Sequence, residues 1–241
     1  MDSKSHSIAV LSYCTYSESA CALSDCNHVR YAKLHGYTYI RPQFQSSKWY
    51  GARLMLHGTR YKLWAILEEM SSFQWVLWID ADAFFYRMHE SIDHWINYTL
   101  RKKADILVAR DQPGWPFNAG VMLVRNTSWS QSFYARAVDI VIRRSITSTS
   151  QDQPAFFHLL SANEHNERRK IAIYADRPRL QAFGKLNEVS NESWIVHMTR
   201  CATCTLHDID PVCYRQVCGQ RSECKSGLEW GNGSGAGTPN W

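Results

Sequence analysis

The stretch WVLWIDADAFF, residues 75–85, is an apolar run that ends in two aspartates separated by one residue. Its first five residues predict a strand buried on both faces of a sheet. Carboxylates are costly to bury without partners, so Asp80 and Asp82 need a reason to follow such a strand. In open α/β sheets, ligands bind at the carboxyl ends of the strands, which makes the two aspartates candidate ligand-binding residues.

Predicted strands alternate with predicted helices on both sides of this stretch. The strands are 8–14, 37–40, 75–79, 104–110, 118–126, 171–174 and 194–198, and the helices are 17–36, 59–73, 91–103, 128–144 and 152–164. This alternation predicts an α/β fold with a mainly parallel central sheet and helices on both faces. The length of 241 residues suits one domain over 1–225, followed by a glycine-rich tail at 226–241 that we expect to be poorly ordered.

The charge balance argues against a nucleic-acid-binding protein. The net charge is +5, and the basic residues are scattered instead of forming a dense tract. A small anionic ligand such as a nucleotide suits this balance at least as well.

The cysteines cluster near the two ends of the chain. There are 8, at positions 14, 21, 26, 201, 204, 213, 218 and 224. An even number favours disulfides in an oxidising compartment, while CATC at 201–204, flanked by His197 and His207, keeps a zinc site as the alternative. Glycosylation sequons also favour a secretory lumen, at Asn97, Asn126, Asn191 and Asn232.

The N-terminal sequence lacks the features of a signal peptide. Its apolar stretch is too short for a signal or a membrane anchor, and no later stretch is long enough to span a bilayer. We therefore expect either that an upstream anchor is missing from this sequence or that the protein is cytosolic and the sequons are not glycosylated.

The aspartates at the end of the strand have the chemistry of a divalent-cation site. Mg²⁺ and Mn²⁺ accept oxygen ligands and keep coordination positions for phosphate oxygens. In the alternative interpretation, one aspartate caps the following helix and the other is solvated.

Three further motifs carry candidate polar ligands. Asn118 stands where a loop becomes a strand, and Asp152 and Gln153 stand at a helix N-terminus. His197 closes a late apolar strand and could add a nitrogen ligand to a metal, with Arg200 offsetting phosphate charge. Each has a plainer interpretation as a turn residue, a helix cap or a structural histidine.

Taken in order, these motifs resemble those of glycosyltransferase family 34. The similar segments are NHVRYAKLHGY (27–37), YKLWAILEEM (61–70) with FQWVLWIDADAFF (73–85), FNAGVMLVRNTSWS (117–130), QDQPAFFHLL (151–160) and HMTRCATC (197–204). The resemblance covers roughly residues 8–204, and the order and internal spacing of the motifs make it more specific than any one of them.

The resemblance implies a GT-A fold and a set of site residues. The implied metal ligands are Asp80, Asp82 and His197. The residues implied to contact the donor are Lys62, Asp80, Ala81, Asn118 and Arg200, and those implied to lie beside the anomeric centre are Asp152 and Gln153.

The resemblance also implies an activity. It is that of a retaining, Mn²⁺- or Mg²⁺-dependent glycosyltransferase that moves a hexose or pentose, from UDP-galactose or UDP-xylose, onto a glycan and forms an α-linkage. A GDP-mannose-dependent enzyme and a non-catalytic relative that binds nucleotide sugars or glycans are the alternatives. The family implies the Golgi lumen, a membrane anchor outside this sequence and a homo- or heterodimer, with no nucleic-acid partner.

The sequence departs from the family pattern at several positions. The family has Gly-Cys-Lys after its histidine, where this chain has Arg200-Cys201-Ala202, so we expect Arg200 to replace the lysine that meets the diphosphate. The other departures are Ala32, Gln151 and Pro154. They bear on which sugar and which acceptor are used.

Overall fold

The computed structural model describes residues 6–42, 58–111, 115–143, 152–184, 188–198 and 206–219. Strands and helices alternate along most of the chain, in the order β1 (Ile8–Leu11), α1 (Glu18–His35), β2 (Thr38–Ile40), α2 (Gly58–Glu69), β3 (Trp75–Ile79), β4 (Ala83–Phe85), α3 (Ile92–Arg101), β5 (Ile106–Ala109), β6 (Asn118–Arg125), α4 (Ser128–Arg143), α5 (Asp152–Ala162), α6 (Glu167–Lys170), β7 (Ile171–Tyr174), α7 (Arg177–Leu180), β8 (Gln181–Phe183), β9 (Ile195–His197), α8 (Leu206–Ile209) and α9 (Pro211–Cys218). The predicted boundary at 225 and the tail at 226–241 lie outside the described residues.

The central sheet has six strands in the order β2-β1-β3-β6-β5-β7. β1 is parallel to β2 and β3, and β5 is parallel to β7, which confirms the prediction of a mainly parallel sheet. β6 runs antiparallel to both of its neighbours. Its first residue, Asn118, therefore lies at the edge where β3 ends, beside the two aspartates.

Helices cover both faces of this sheet, as predicted. Alternate strand residues such as Val76 and Trp78 pack into one core with side chains of α2, α4 and α5. The residues between them, such as Leu77, pack into a second core with α1 and α3. All five residues of β3 are buried, because the strand lies between both cores.

The ends of α1 follow the sequence signals. The Ser17 side chain accepts a hydrogen bond from the Ala20 amide, and Gly36 adopts a left-handed conformation with φ of 72°. The predicted end of α2 at residue 73 is wrong, since the helix ends at Glu69 and the Ser71 hydroxyl donates to the Glu68 carbonyl. Serine side chains compete with helix hydrogen bonds in this way.

A second, three-stranded sheet has the order β4-β9-β8, and the sequence did not predict β4 or β8. β9 pairs antiparallel with β4, so that His197 lies opposite Ala83. This pairing brings the histidine beside Asp82, although the two residues are far apart in sequence.

Disulfides join Cys14 to Cys21 and Cys26 to Cys213, which confirms the disulfide prediction for these cysteines. The first brackets the loop after β1, and the second ties α1 to α9. Cys201 and Cys204, on which the zinc alternative rested, lie outside the described residues. Within the described ranges, no helix is both long and apolar enough to cross a membrane.

Candidate functional site

The predicted metal ligands meet at the carboxyl end of β3. Asp80, Asp82 and His197 each offer a ligand atom, and these atoms lie within 4.8 Å of one another. Asp82 and His197 are buried, whereas 28% of the Asp80 side chain is exposed. Two carboxylates and one imidazole at the end of a buried strand form an acidic pocket that is open on the side of Asp80.

The charges in this pocket are strongly coupled. Burial alone would lower the pKa of His197, but the Asp82 carboxylate, 3.1 Å from His197 Nε2, outweighs burial and raises that pKa. Removal from water and the nearby Asp82 raise the pKa of Asp80, although the positive charge of Lys62 opposes them. Negative charge concentrated in this way favours a bound cation.

Lys62, on α2, connects the candidate metal ligand Asp80 with the start of α5. Its Nζ lies 2.9 Å from Asp80 Oδ1 and 2.9 Å from Asp152 Oδ2, and it donates to the Ala119 carbonyl. Burial alone would lower the pKa of Lys62, but the two carboxylates raise it, so the amine is charged at neutral pH. The predicted residues Lys62, Asp80 and Asp152 are therefore one connected group.

A network of side-chain amides extends from His197 along the sheet edge. The Gln181 amide nitrogen donates to Asn118 Oδ1 at 2.9 Å and contacts His197 Nδ1 at 2.5 Å. Asn118 donates to Asp111, and Gln153 donates to the Phe117 carbonyl and, at 3.5 Å, to Asp111. The predicted amides Asn118 and Gln153 thus converge on one carboxylate.

Gly120 lets His197 lie against β6. A Cβ at position 120 would stand 2.5 Å from His197 Cε1 and 2.8 Å from Asn118 Oδ1. Contacts this short require one group to move. The glycine of the Asn-Ala-Gly segment is therefore needed for the close approach of the imidazole.

Sequence reasoning missed several residues of the site. Tyr16, in the loop after β1, donates its hydroxyl to Asp82, and burial together with the aspartate charges raises the pKa of Tyr16. Trp78 donates its indole N–H to Asp80 Oδ1 at 2.7 Å. No sequence signal indicated the roles of Tyr16, Gln181 and Asp111, because these roles arise only from tertiary contacts.

The two remaining predicted site residues are Ala81 and Arg200. Ala81 is buried in the turn between the aspartates, with 3% of its surface exposed. Arg200 lies outside the described residues.

The donor set fits a hard divalent cation. Oxygen ligands from Asp80 and Asp82 suit Mn²⁺ or Mg²⁺, and an imidazole nitrogen is more typical of Mn²⁺ than of Mg²⁺. The Gln181 Oε1 atom is buried with no hydrogen-bond partner within the described residues. Gln181 contacts His197 Nδ1, the ring nitrogen that faces away from Asp82, and so orients the imidazole.

Sequence comparison finds plant glycosyltransferases. The chain is 32% identical over 127 residues to probable glycosyltransferase 6 of Oryza sativa subsp. indica, covering 43% of this chain and 25% of the relative. It is 29% identical over 124 residues to glycosyltransferase 6 of Arabidopsis thaliana. The match thus spans about a quarter of the length of these relatives. No protein-family model matches the sequence.

Solved structures of glycosyltransferases share the fold. One is involved in the glycosylation of the major capsid of PBCV-1, with a TM-score of 0.63, 16% identity, and coverage of 80% of this chain and 93% of that one. An active-site mutant of LgtC aligns with a TM-score of 0.54 and 11% identity, over 90% of this chain and 99% of that one. The chain therefore has the GT-A fold of these glycosyltransferases and is similar in sequence to plant glycosyltransferases, while its place in family 34 stays a prediction.

Proposed function

We propose that the protein is a retaining, metal-dependent glycosyltransferase that moves a sugar from a nucleotide diphosphate sugar to a glycan and forms an α-linkage. The observation that carries this proposal is the convergence of Asp80, Asp82 and His197 with the Lys62–Asp152 pair at one edge of the sheet. The donor we propose is UDP-galactose or UDP-xylose, and GDP-mannose is the alternative.

Asp80, Asp82 and His197 would hold Mn²⁺ or Mg²⁺. Such an ion, when bound, acts as a Lewis acid and neutralises charge on the departing diphosphate. Arg200, which follows His197 closely in sequence, is proposed to add positive charge there.

The residues of the chain bind and orient the transferred sugar. Lys62 is held between Asp80 and Asp152, so that its positive charge lies beside both carboxylates. Asn118 and Gln153 offer amide groups that can both donate to and accept from sugar hydroxyls. Asp152 and Gln153 are proposed to lie beside the anomeric carbon, with the buried turn at Ala81 shaping the donor pocket.

Retention requires the acceptor to attack on the face that the diphosphate leaves. The acceptor hydroxyl oxygen forms a bond to the anomeric carbon, the bond from that carbon to the phosphate oxygen breaks, and the hydroxyl proton passes to this phosphate oxygen. The chain need not supply a strong base for this step, which agrees with an amide at Gln153.

The cell biology of the protein is part of the same proposal. The disulfides are consistent with a luminal or secreted protein. We propose the Golgi lumen as the compartment, with membrane attachment through a segment outside this sequence and a homo- or heterodimeric assembly.

A donor panel tests the proposed activity. The protein with Mn²⁺ is incubated with UDP-galactose, UDP-xylose and GDP-mannose, with and without oligosaccharides, and released nucleotide is measured. We expect one donor to be turned over, and Asp82→Asn to abolish release while Asp139→Asn, on the exposed face of α4, retains it. Binding of nucleotide and metal without turnover would instead support a non-catalytic relative.

A further inference from the structure

A cavity of about 710 Å³ opens beside the amide network, at the carboxyl ends of β5 and β7. Its volume is in the range of small-molecule binding sites. The described residues that line it are Arg110, Asp111, Trp115, Pro116, Ile173, Ala175, Arg177 and Pro178. None of them is a candidate metal ligand.

Asp111 connects this cavity with the candidate catalytic residues. It lines the cavity and also accepts hydrogen bonds from Asn118 and, at 3.5 Å, from Gln153. A molecule in the cavity would therefore lie next to the groups proposed to hold the transferred sugar.

The strand order separates the cavity from the donor half of the sheet. β2 lies on one side of β1, whereas β3 and the later strands lie on the other side, so the strand order reverses between β1 and β3. Open α/β sheets bind nucleotides at such a point. β5 and β7 lie on the other side of β6, and Asn118 stands between the two halves. This arrangement leaves the cavity for the second substrate.

The lining suits an uncharged pyranose. Trp115 is half-buried, and its ring packs against that of Phe157 with 5.1 Å between the ring centroids. This contact gives a fixed aromatic surface for the apolar face of a sugar. The exposed Arg110 guanidinium forms no hydrogen bond or ion pair with other residues that the structure describes, so its N–H groups can donate to sugar hydroxyls.

The charges around the cavity are mixed, with one carboxylate, from Asp111, and two arginines, Arg110 and Arg177. Arg177 is already paired with Glu188 and lies over the Phe183 ring, so its charge is satisfied. The Asp111 carboxylate in the same wall offsets the positive charge of Arg110, so the lining offers hydrogen-bond donors and acceptors side by side. A neutral sugar can use both Arg110 and Asp111 through its hydroxyls.

We infer that this cavity is the acceptor subsite, and that it binds an uncharged terminal pyranose stacked on Trp115 and hydrogen-bonded by Arg110. The inference rests on the proposed function, which it deepens by assigning the acceptor class.

Binding is tested first without turnover. Saturation-transfer NMR is recorded on the full chain with diamagnetic Mg²⁺ and UDP, using methyl glycosides of neutral hexoses and of hexuronic acids. We expect binding of a neutral glycoside that weakens about tenfold or more in Arg110→Ala and in Trp115→Ala. Arg101→Ala and Trp129→Phe serve as controls and should bind the glycoside normally. Arg101 precedes the start of β5 and Trp129 follows the end of β6, so both lie at the strand ends opposite the cavity. Arg110 is exposed, so this variant remains informative even if Trp115→Ala unfolds.

Kinetics separate the two substrates. In Arg110→Ala, the KM for the acceptor should rise about tenfold, while hydrolysis of the donor in the absence of acceptor stays within about twofold of the parent rate. Preference for hexuronic acids, unchanged glycoside binding in both variants, or a parallel loss of donor hydrolysis would overturn the inference. If the parent protein turns over no donor, the proposed function fails, and the NMR binding result still decides the subsite.

Discussion

Lys62 and Asp152 form a buried ion pair, with 2.9 Å between Nζ and Oδ2 and side chains that are 5% and 4% exposed. Lys62 also pairs with Asp80, so one cation links the end of β3 to the first residue of α5. Lys62 thus connects Asp80, one of the candidate metal ligands, with Asp152, which is proposed to lie beside the anomeric centre.

Lys62→Met should destabilise the fold and abolish activity. It leaves the Asp152 carboxylate buried without its cation, which costs about 3–5 kcal/mol in the free energy of unfolding. Urea denaturation measures this loss, and nucleotide release measures activity. The double variant Lys62→Met/Asp152→Asn should recover part of the stability and none of the activity. A stable and active single variant would show that the pair has no such role.

Gly120→Ala should weaken metal binding more than it weakens the fold. The new Cβ would displace the His197 ring, which it meets at 2.5 Å. We expect Mn²⁺ affinity, measured by calorimetry, to fall about tenfold or more. Gly36→Ala is the matched control, because φ of 72° makes alanine cost about 1 kcal/mol in stability far from the metal ligands. Equal Mn²⁺ affinity in both variants would contradict the assigned role of Gly120.

The parts of the fold that the sequence predicted correctly carry strong local signals. WVLWI is apolar on both faces because it lies between two cores, and α1 has Ser17 and Gly36 at its ends. β4 and β8 are three residues each, too short to show a period of two, and they exist because β9 pairs with them. The antiparallel direction of β6 also has no local signature.

The residues of the candidate site also divide into those that the sequence predicted and those that it did not. Asp80, Asp82 and His197 stand in motifs whose order and spacing could be recognised. Gln181 could not, because its role depends on contacts with Asn118, 63 positions earlier, and with His197 across the small sheet. A glutamine in a short strand looks the same in sequence whether it faces solvent or a ligand.

Gln181→Leu should lower metal affinity while the protein stays folded. Leucine cannot bond to Asn118 Oδ1 or His197 Nδ1, so the imidazole loses the group that fixes its orientation. Loss of such outer partners typically reduces metal affinity about 10–100-fold. Calorimetric titration with Mn²⁺ measures the effect, and Gln74→Leu, at an exposed position before β3, is the control. Unchanged affinity in Gln181→Leu would mean that the packing of β8 and β9 alone orients His197.

Acid should destabilise the protein partly through His28. This residue of α1 is fully buried, with Nε2 2.8 Å from the Ala83 carbonyl, and burial lowers its pKa from 6.5 to about 4. Between these two values the unfolded chain binds a proton that the folded chain does not, so stability falls as the pH drops from about 6.5 towards about 4. This pKa shift corresponds to a loss on the order of 3 kcal/mol in the free energy of unfolding. His28→Gln keeps an N–H donor for the carbonyl and does not titrate, so its unfolding free energy should depend less on pH in this range. Identical pH slopes in urea denaturation of the two proteins would show that His28 is not the group responsible.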